Sequence, residues 1–236
     1  MAKKLKRPAK KIDQVDEIVP VIERVRQSFV ENWRLFGVGF ILLGTIVVVV
    51  MLWMASLERK ENHASFLLSQ GVTKLKEAEG VSGEEASAAY EEALKVLKDL
   101  VEGYGSTESG EVGVFYLGKV LSRLGRYGEA IQQYESFLSL DGNGQLYRSL
   151  ALRSLGYAYQ HEKAYDKAVK CFRELTQMEG SFLREESVLA LARLYEAMGQ
   201  KQEALDAYKN FLTEYPDSIE SNRIVRKVAL LEKQVR

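Results

Sequence analysis

One spacing recurs three times in this chain and leaves it little freedom of fold. Gly118, Gly156 and Ala192 each precede an alanine by 12 residues (Ala130, Ala168 and Ala204), and each alanine precedes an aromatic residue by 4 (Tyr134, Phe172 and Tyr208). Around these anchors lie Leu117, Gly125, Tyr127 and Phe137 in the first copy. The second has Leu155, Tyr159, Tyr165 and Leu175, and the third Leu191, Tyr195, Gly199, Phe211 and Pro216. Small residues at such intervals suit two antiparallel helices that cross closely, with the aromatic filling the gap to the next copy. Each helix pair then keeps an apolar face that only a neighbouring pair buries, so the units must stack. Proline is confined to Pro8, Pro20 and Pro216, which favours helix throughout.

In these positions the chain resembles the tetratricopeptide-repeat family, with units near 111–144, 149–182 and 185–218. The alanines lie 38 and then 36 residues apart, against a repeat of about 34. Short insertions near Gln145–Arg148 and Leu183–Arg184 account for the excess. Residues 58–110 read as a degenerate first repeat. Its first helix turns Phe66, Leu67, Val72 and Leu75 inward, and its second, Ser82 to Glu102, turns Ala93, Leu97 and Leu100. Residues 219–236 read as a capping helix with Ile224, Val225, Val228, Leu231 and Val235 on one face. Arg223, Arg226, Lys227 and Lys233 solvate the other, as the end of a stack requires.

Leu35 to Leu57 is a run of 23 uncharged residues between Arg34 and Glu58, and about 20 suffice to cross a bilayer core. Trp33 and Trp53 are 20 residues apart, roughly 30 Å of helix, which places an indole at each interface. The run is too long for a signal-peptide core and has no small-residue cleavage site after it, so it is expected to remain as an anchor. The fold class is therefore all-α: one N-terminal transmembrane helix followed by a tetratricopeptide α-solenoid. Residues 1–34 form a basic tail. Lys3, Lys4, Lys6, Arg7, Lys10 and Lys11 favour a cytoplasmic tail and an exported C-terminal domain. Ile12, Val15, Ile18, Ile22, Val25, Phe29 and Trp33 recur every three or four residues, the pattern of an amphipathic helix. Pro20 would kink or restart it. Helical pattern resumes near Glu58 without a linker, which predicts a domain close to the membrane surface.

The chain carries 33 basic and 33 acidic residues, and from position 58 onward acids outnumber bases, 28 to 24. This argues against nucleic acid as the ligand, since phosphate contacts need a basic face. His63 and His161 are the only histidines and Cys171 the only cysteine, so no metal-ligand set forms and no cofactor is implied. Cys171 reads as a packing residue. Asp141-Gly142-Asn143-Gly144 has Leu152 where a calcium loop needs an acid, so it reads as a turn. No nucleophile elbow, phosphate loop or dinucleotide fingerprint is present, and the chain is not expected to be an enzyme.

The family resemblance implies a groove for protein or peptide ligands, lined by the first helix of each repeat. By helical phase the first unit offers Phe115, Lys119 and Arg123. The second offers Leu150, Arg153, Tyr157, Gln160 and His161, and the third Glu186, Leu189, Arg193 and Glu196. Aromatic anchors and arginines with few acids beside them suit an extended segment with apolar and acidic residues. The lysine and asparagine clamp of heat-shock co-chaperones is not matched, because Phe115, Lys119, Ser154, Glu186 and Ala190 stand at its positions.

The order of parts resembles a bacterial inner-membrane family with a cytoplasmic tail, one anchor and a periplasmic tetratricopeptide domain. That family includes the ancillary subunit of the Sec translocon, which passes exported proteins to periplasmic chaperones. The last unit, through Tyr215-Pro216-Asp217-Ser218, is also similar to envelope proteins of the Tol-Pal and outer-membrane assembly systems. The resemblance implies an adaptor or chaperone-like factor at the inner membrane. Alternatives are a structural scaffold in envelope biogenesis, or a cytoplasm-facing receptor if the topology is reversed.

Overall fold

The computed structural model describes residues 23, 26, 30, 32–141 and 144–235. The basic cluster, Pro20, the apolar positions expected at Ile12, Val15, Ile18, Ile22, Val25 and Phe29, and Gly142-Asn143 of the expected turn lie outside them. Among the described residues there are nine helices and no strand. They are α1 (Trp33–Glu79), α2 (Glu84–Tyr104), α3 (Glu108–Arg123), α4 (Tyr127–Ser139), α5 (Gln145–His161), α6 (Tyr165–Gln177), α7 (Arg184–Ala197), α8 (Lys201–Glu214) and α9 (Ser221–Val235). The chain divides into two compact units, Met1–Glu58 and Arg59–Arg236, and α1 contributes to both.

In the first unit, every large apolar side chain from Val38 to Leu57 is exposed. Trp33 and Trp53 are each 63% exposed. The helix is long and apolar enough to cross a membrane, and none of its most apolar stretch is buried within the protein. A core helix of a soluble protein would bury such a stretch.

The second unit is a helical stack in which α3 to α9 each pack against the helix before. The recurrent spacing has a direct structural cause. A Cβ built on Gly118 would lie 2.8 Å from the Tyr134 ring, and one on Gly156 would lie 2.7 Å from the Phe172 ring. The small residue and the aromatic are thus two halves of one contact within a helix pair. The aromatic, expected to fill the gap to the next copy, is seated within its own pair as well. Ala130, Ala168, Ala192 and Ala204 are fully buried where the paired helices approach.

The pair ahead of these repeats uses the same device with an aliphatic knob. A Cβ on Gly71 would lie 2.6 Å from Leu97, and Leu97 follows the buried Ala93 by one helical turn. Ala64, Leu75 and Ala78 are buried on the same helix. Phe66, expected inward, is 62% exposed, because the buried positions run through Ala64, Gly71, Leu75 and Ala78 and place it on another face. The Glu61 carboxylate accepts hydrogen bonds from the backbone N–H groups of Glu108 (2.9 Å) and Ser109 (3.1 Å) at the start of α3. An acid there satisfies orphan donors and the positive end of the helix dipole.

A second marker repeats 7 residues after each small residue: Gly125 (φ 74°), Lys163 (φ 56°) and Gly199 (φ 74°) are left-handed. Each lets the next residue bond back across the helix end: Arg126 N–H to Leu121 (2.9 Å), Ala164 N–H to Tyr159 (2.8 Å) and Gln200 N–H to Tyr195 (2.9 Å). These Schellman-type ends aim the second helix of each pair. The positions near Gln145–Arg148, expected as an insertion, form the first turn of α5.

The core falls into two clusters that meet at α7. Ala190 and Leu194 of that helix belong to the larger one, Val188, Leu189 and Ala192 to the smaller. Cys171 is buried in the larger cluster. Burial pushes its thiol up to about 12, with the nearby Glu174 charge adding to the effect, which leaves it a packing residue without thiolate character.

Candidate protein-binding groove

The first helices of successive repeats, α3, α5 and α7, line an open groove of about 460 Å³. It gathers eight of the twelve residues expected from the sequence: Phe115, Lys119, Arg123, Leu150, Arg153, Tyr157, His161 and Glu186. Arg193 and Glu196 instead line a separate groove further along. Gln160 is half-buried and lines neither. Leu189 is 6% exposed in the smaller core cluster, so it packs the stack and is no ligand contact. Phe115 is also a core residue, buried among the rings of Tyr116, Tyr134, Phe137 and Tyr147, and it forms the groove floor.

The sequence suggests few acids beside these cations, but two carboxylates from other helices meet them. Glu79, at the end of α1, accepts Lys119 at 3.2 Å and Arg123 at 3.1 Å. Burial alone would raise the Glu79 carboxyl, but hydrogen bonds and charge from Lys119 and Arg123 outweigh it and hold the group below the usual carboxylate range. Across the groove, Glu186 lies 3.5 Å from Arg153 and accepts the Tyr157 hydroxyl at 2.8 Å. Burial, then the hydrogen bond to Glu186 and its charge, raise the Tyr157 phenol above its ordinary value, so it serves as a neutral donor. These pairs pre-order Lys119, Arg123 and Arg153 and lower the entropy lost when a ligand binds.

Tyr127, at the start of α4, also lines the groove and stacks on His161 at 4.1 Å with a 6° tilt. Tyr116 and Ser154 complete the wall. None of these was among the expected contacts. Tyr127 comes from a second helix, although its place just after the turn residue Gly125 was a signal available in the sequence. Three cations, two carboxylates and a row of aromatic faces can hold an extended segment by charge-assisted hydrogen bonds and ring packing. Among the described residues no cluster of three potential metal ligands exists.

Three segments of the chain match family models of the tetratricopeptide repeat: 115–143 and 154–182 with one model, 186–218 with another. No curated protein sequence matches the chain. Among solved structures, the nearly identical TPR-like repeats from Podosopora anserina are similar to it, with a TM-score of 0.55 and 17% identity over 73% of this chain and 97% of that one. The protein MamA of AMB-1 is similar as well, with a TM-score of 0.54 and 17% identity over 74% of this chain and 84% of that one. At such identities the likeness is one of fold. The three matched segments, with the notch contacts and the repeated turns, show that the chain carries tetratricopeptide repeats, a module for contact between proteins.

Proposed function

We propose that this protein is a membrane-anchored adaptor or chaperone-like factor whose repeats bind protein segments beside a site of protein export. Its apolar helix spans the bacterial inner membrane once, with the basic tail in the cytoplasm and the repeats in the periplasm. The observation that carries the anchor is the stretch from Val38 to Leu57, whose large apolar side chains are all exposed. About 20 apolar residues match the bilayer core. The basic cluster between Lys3 and Lys11 supports the orientation. The groove between α3, α5 and α7 supports binding over catalysis, because its charged groups are held in ion pairs and the Tyr157 phenol stays protonated.

The test is site-directed photocrosslinking in native membranes. A photoreactive residue at Tyr157, inside the groove, is expected to capture subunits of the translocon or exported proteins, and one at the exposed Lys170 is not. Equal capture at both positions, or neither class of protein at Tyr157, would overturn the reading.

A further inference from the structure

We propose a second binding site on the repeat unit, between α7, α8 and α9, that takes an acidic segment of a protein partner. The inference rests on the reading of the repeats as a protein-binding module and adds the chemistry of one ligand. The last helix would be expected only to solvate the end of the stack. Instead Arg223, Arg226 and Lys227 of α9 face Arg193 of α7 across a groove of about 520 Å³. That lies within the ~300–1,000 Å³ typical of ligand sites.

Charge in this groove is unbalanced. Among the described residues four cations line it, and the carboxylates that meet them are those of Glu196 and Glu220. Glu196 pairs with Lys227 at 2.6 Å and also accepts the Tyr208 hydroxyl at 3.1 Å. Glu220 pairs with Arg223 and lies 3.8 Å from Arg193, a long contact. Arg226 is exposed and has no ion-pair partner among the described residues. Guanidinium groups with donors to spare in a concave site are suited to carboxylates. The groove also has an apolar strip: Ile224 is buried at its base, and Leu230, 57% exposed, stands at its edge. A purely solvating face would place a polar residue at that edge. Cations beside an uncovered leucine fit a segment that alternates acidic and apolar residues. The concave shape admits a peptide chain better than a flat bilayer surface.

The full-length protein in nanodiscs of zwitterionic lipid provides the test. The probe is a fluorescent peptide of alternating glutamate and leucine, with a lysine–leucine peptide and anionic phospholipid vesicles as competitors. The acidic peptide is expected to bind, to weaken as salt is raised, and to lose about fivefold or more in affinity with Arg226→Glu. Arg226→Lys restores it. Arg226 makes no ion pair among the described residues, so the reversal breaks none of the fold's ion pairs, and an unchanged melting temperature confirms that the fold is kept. Lys170→Glu, on an exposed position that lines neither groove, leaves the affinity as it was. Equal binding of the lysine–leucine peptide, displacement by anionic vesicles, or an affinity unchanged by Arg226→Glu would overturn the inference. No binding of the acidic peptide at all would overturn it too. None of these outcomes touches the groove between α3, α5 and α7, whose reading stands or falls on the crosslinks at Tyr157.

Discussion

From Val38 to Leu57 every large apolar side chain faces away from the protein, whereas the apolar anchors of the repeats are enclosed by their neighbours. The difference lies in arrangement. The first stretch is apolar on all sides of its helix, and among the described residues no helix covers it. In the repeats, apolar residues turn toward neighbouring helices, on more than one side in α3, α5 and α7, and small residues set how closely the helices meet. The first stretch is a statement about solvent, the second about neighbours, and substitutions should affect the two independently.

The largest expected effect lies in the apolar stretch. Replacing Val47 and Val48 together by arginine adds about 5–7 kcal/mol of insertion cost at a helix centre. Carbonate extraction should then find the protein released from membranes, with the melting of the repeats unchanged. Next come the notches. Phe172→Ala removes the ring seated on Gly156 and is expected to cost about 3–5 kcal/mol. Gly156→Ala, whose Cβ would press on that ring, costs about 1–3 kcal/mol. Gly128→Ala, with nothing within 4 Å, costs nothing measurable. Thermal melts of the full chain check all three, and the membrane fraction should not move.

Lys163 gives a smaller effect of opposite sign. It holds the left-handed position that glycine holds in the flanking repeats, at a cost of about 1 kcal/mol for a residue with a Cβ. Lys163→Gly is expected to raise stability by about that amount. The smallest effect belongs to Glu79. Its carboxyl is held low in the folded protein, so its contribution is fully present above the unfolded value of about 4.3. It is lost as pH falls through the lower folded value. The stability difference between wild type and Glu79→Gln, about 0.2–1 kcal/mol at neutral pH, should shrink toward zero below that range in pH-dependent melts.

What the sequence disclosed follows from the range of the contacts. Gly118 and Tyr134 meet within one helix pair, so their spacing survives in every copy and is readable. The first pair was harder to recognise because Gly71 and Ala93 stand farther apart along the chain, although the contact they frame is the same. The groove was legible where helical phase alone decides exposure, as at Lys119, Arg153 and Tyr157. At Phe115 and Leu189 one step of about 100° turns a residue from groove to core, and phase was too coarse. Glu79 reaches Lys119 and Arg123 from an earlier helix, and no periodicity reports which distant charges meet. The basic face of α9 looked like a solvated surface because a helix pattern does not show that another helix stands opposite.

The side of the membrane on which the repeats lie is tested most directly by the position of the carboxyl end. Reporters fused after Arg236, one active only in the periplasm and one only in the cytoplasm, read it in intact cells. Activity of the periplasmic reporter alone is the expected result, consistent with a repeat module on the exported side of a single span. Activity of the cytoplasmic reporter alone would contradict the export-side assignment and move the groove's partners to the cytosol.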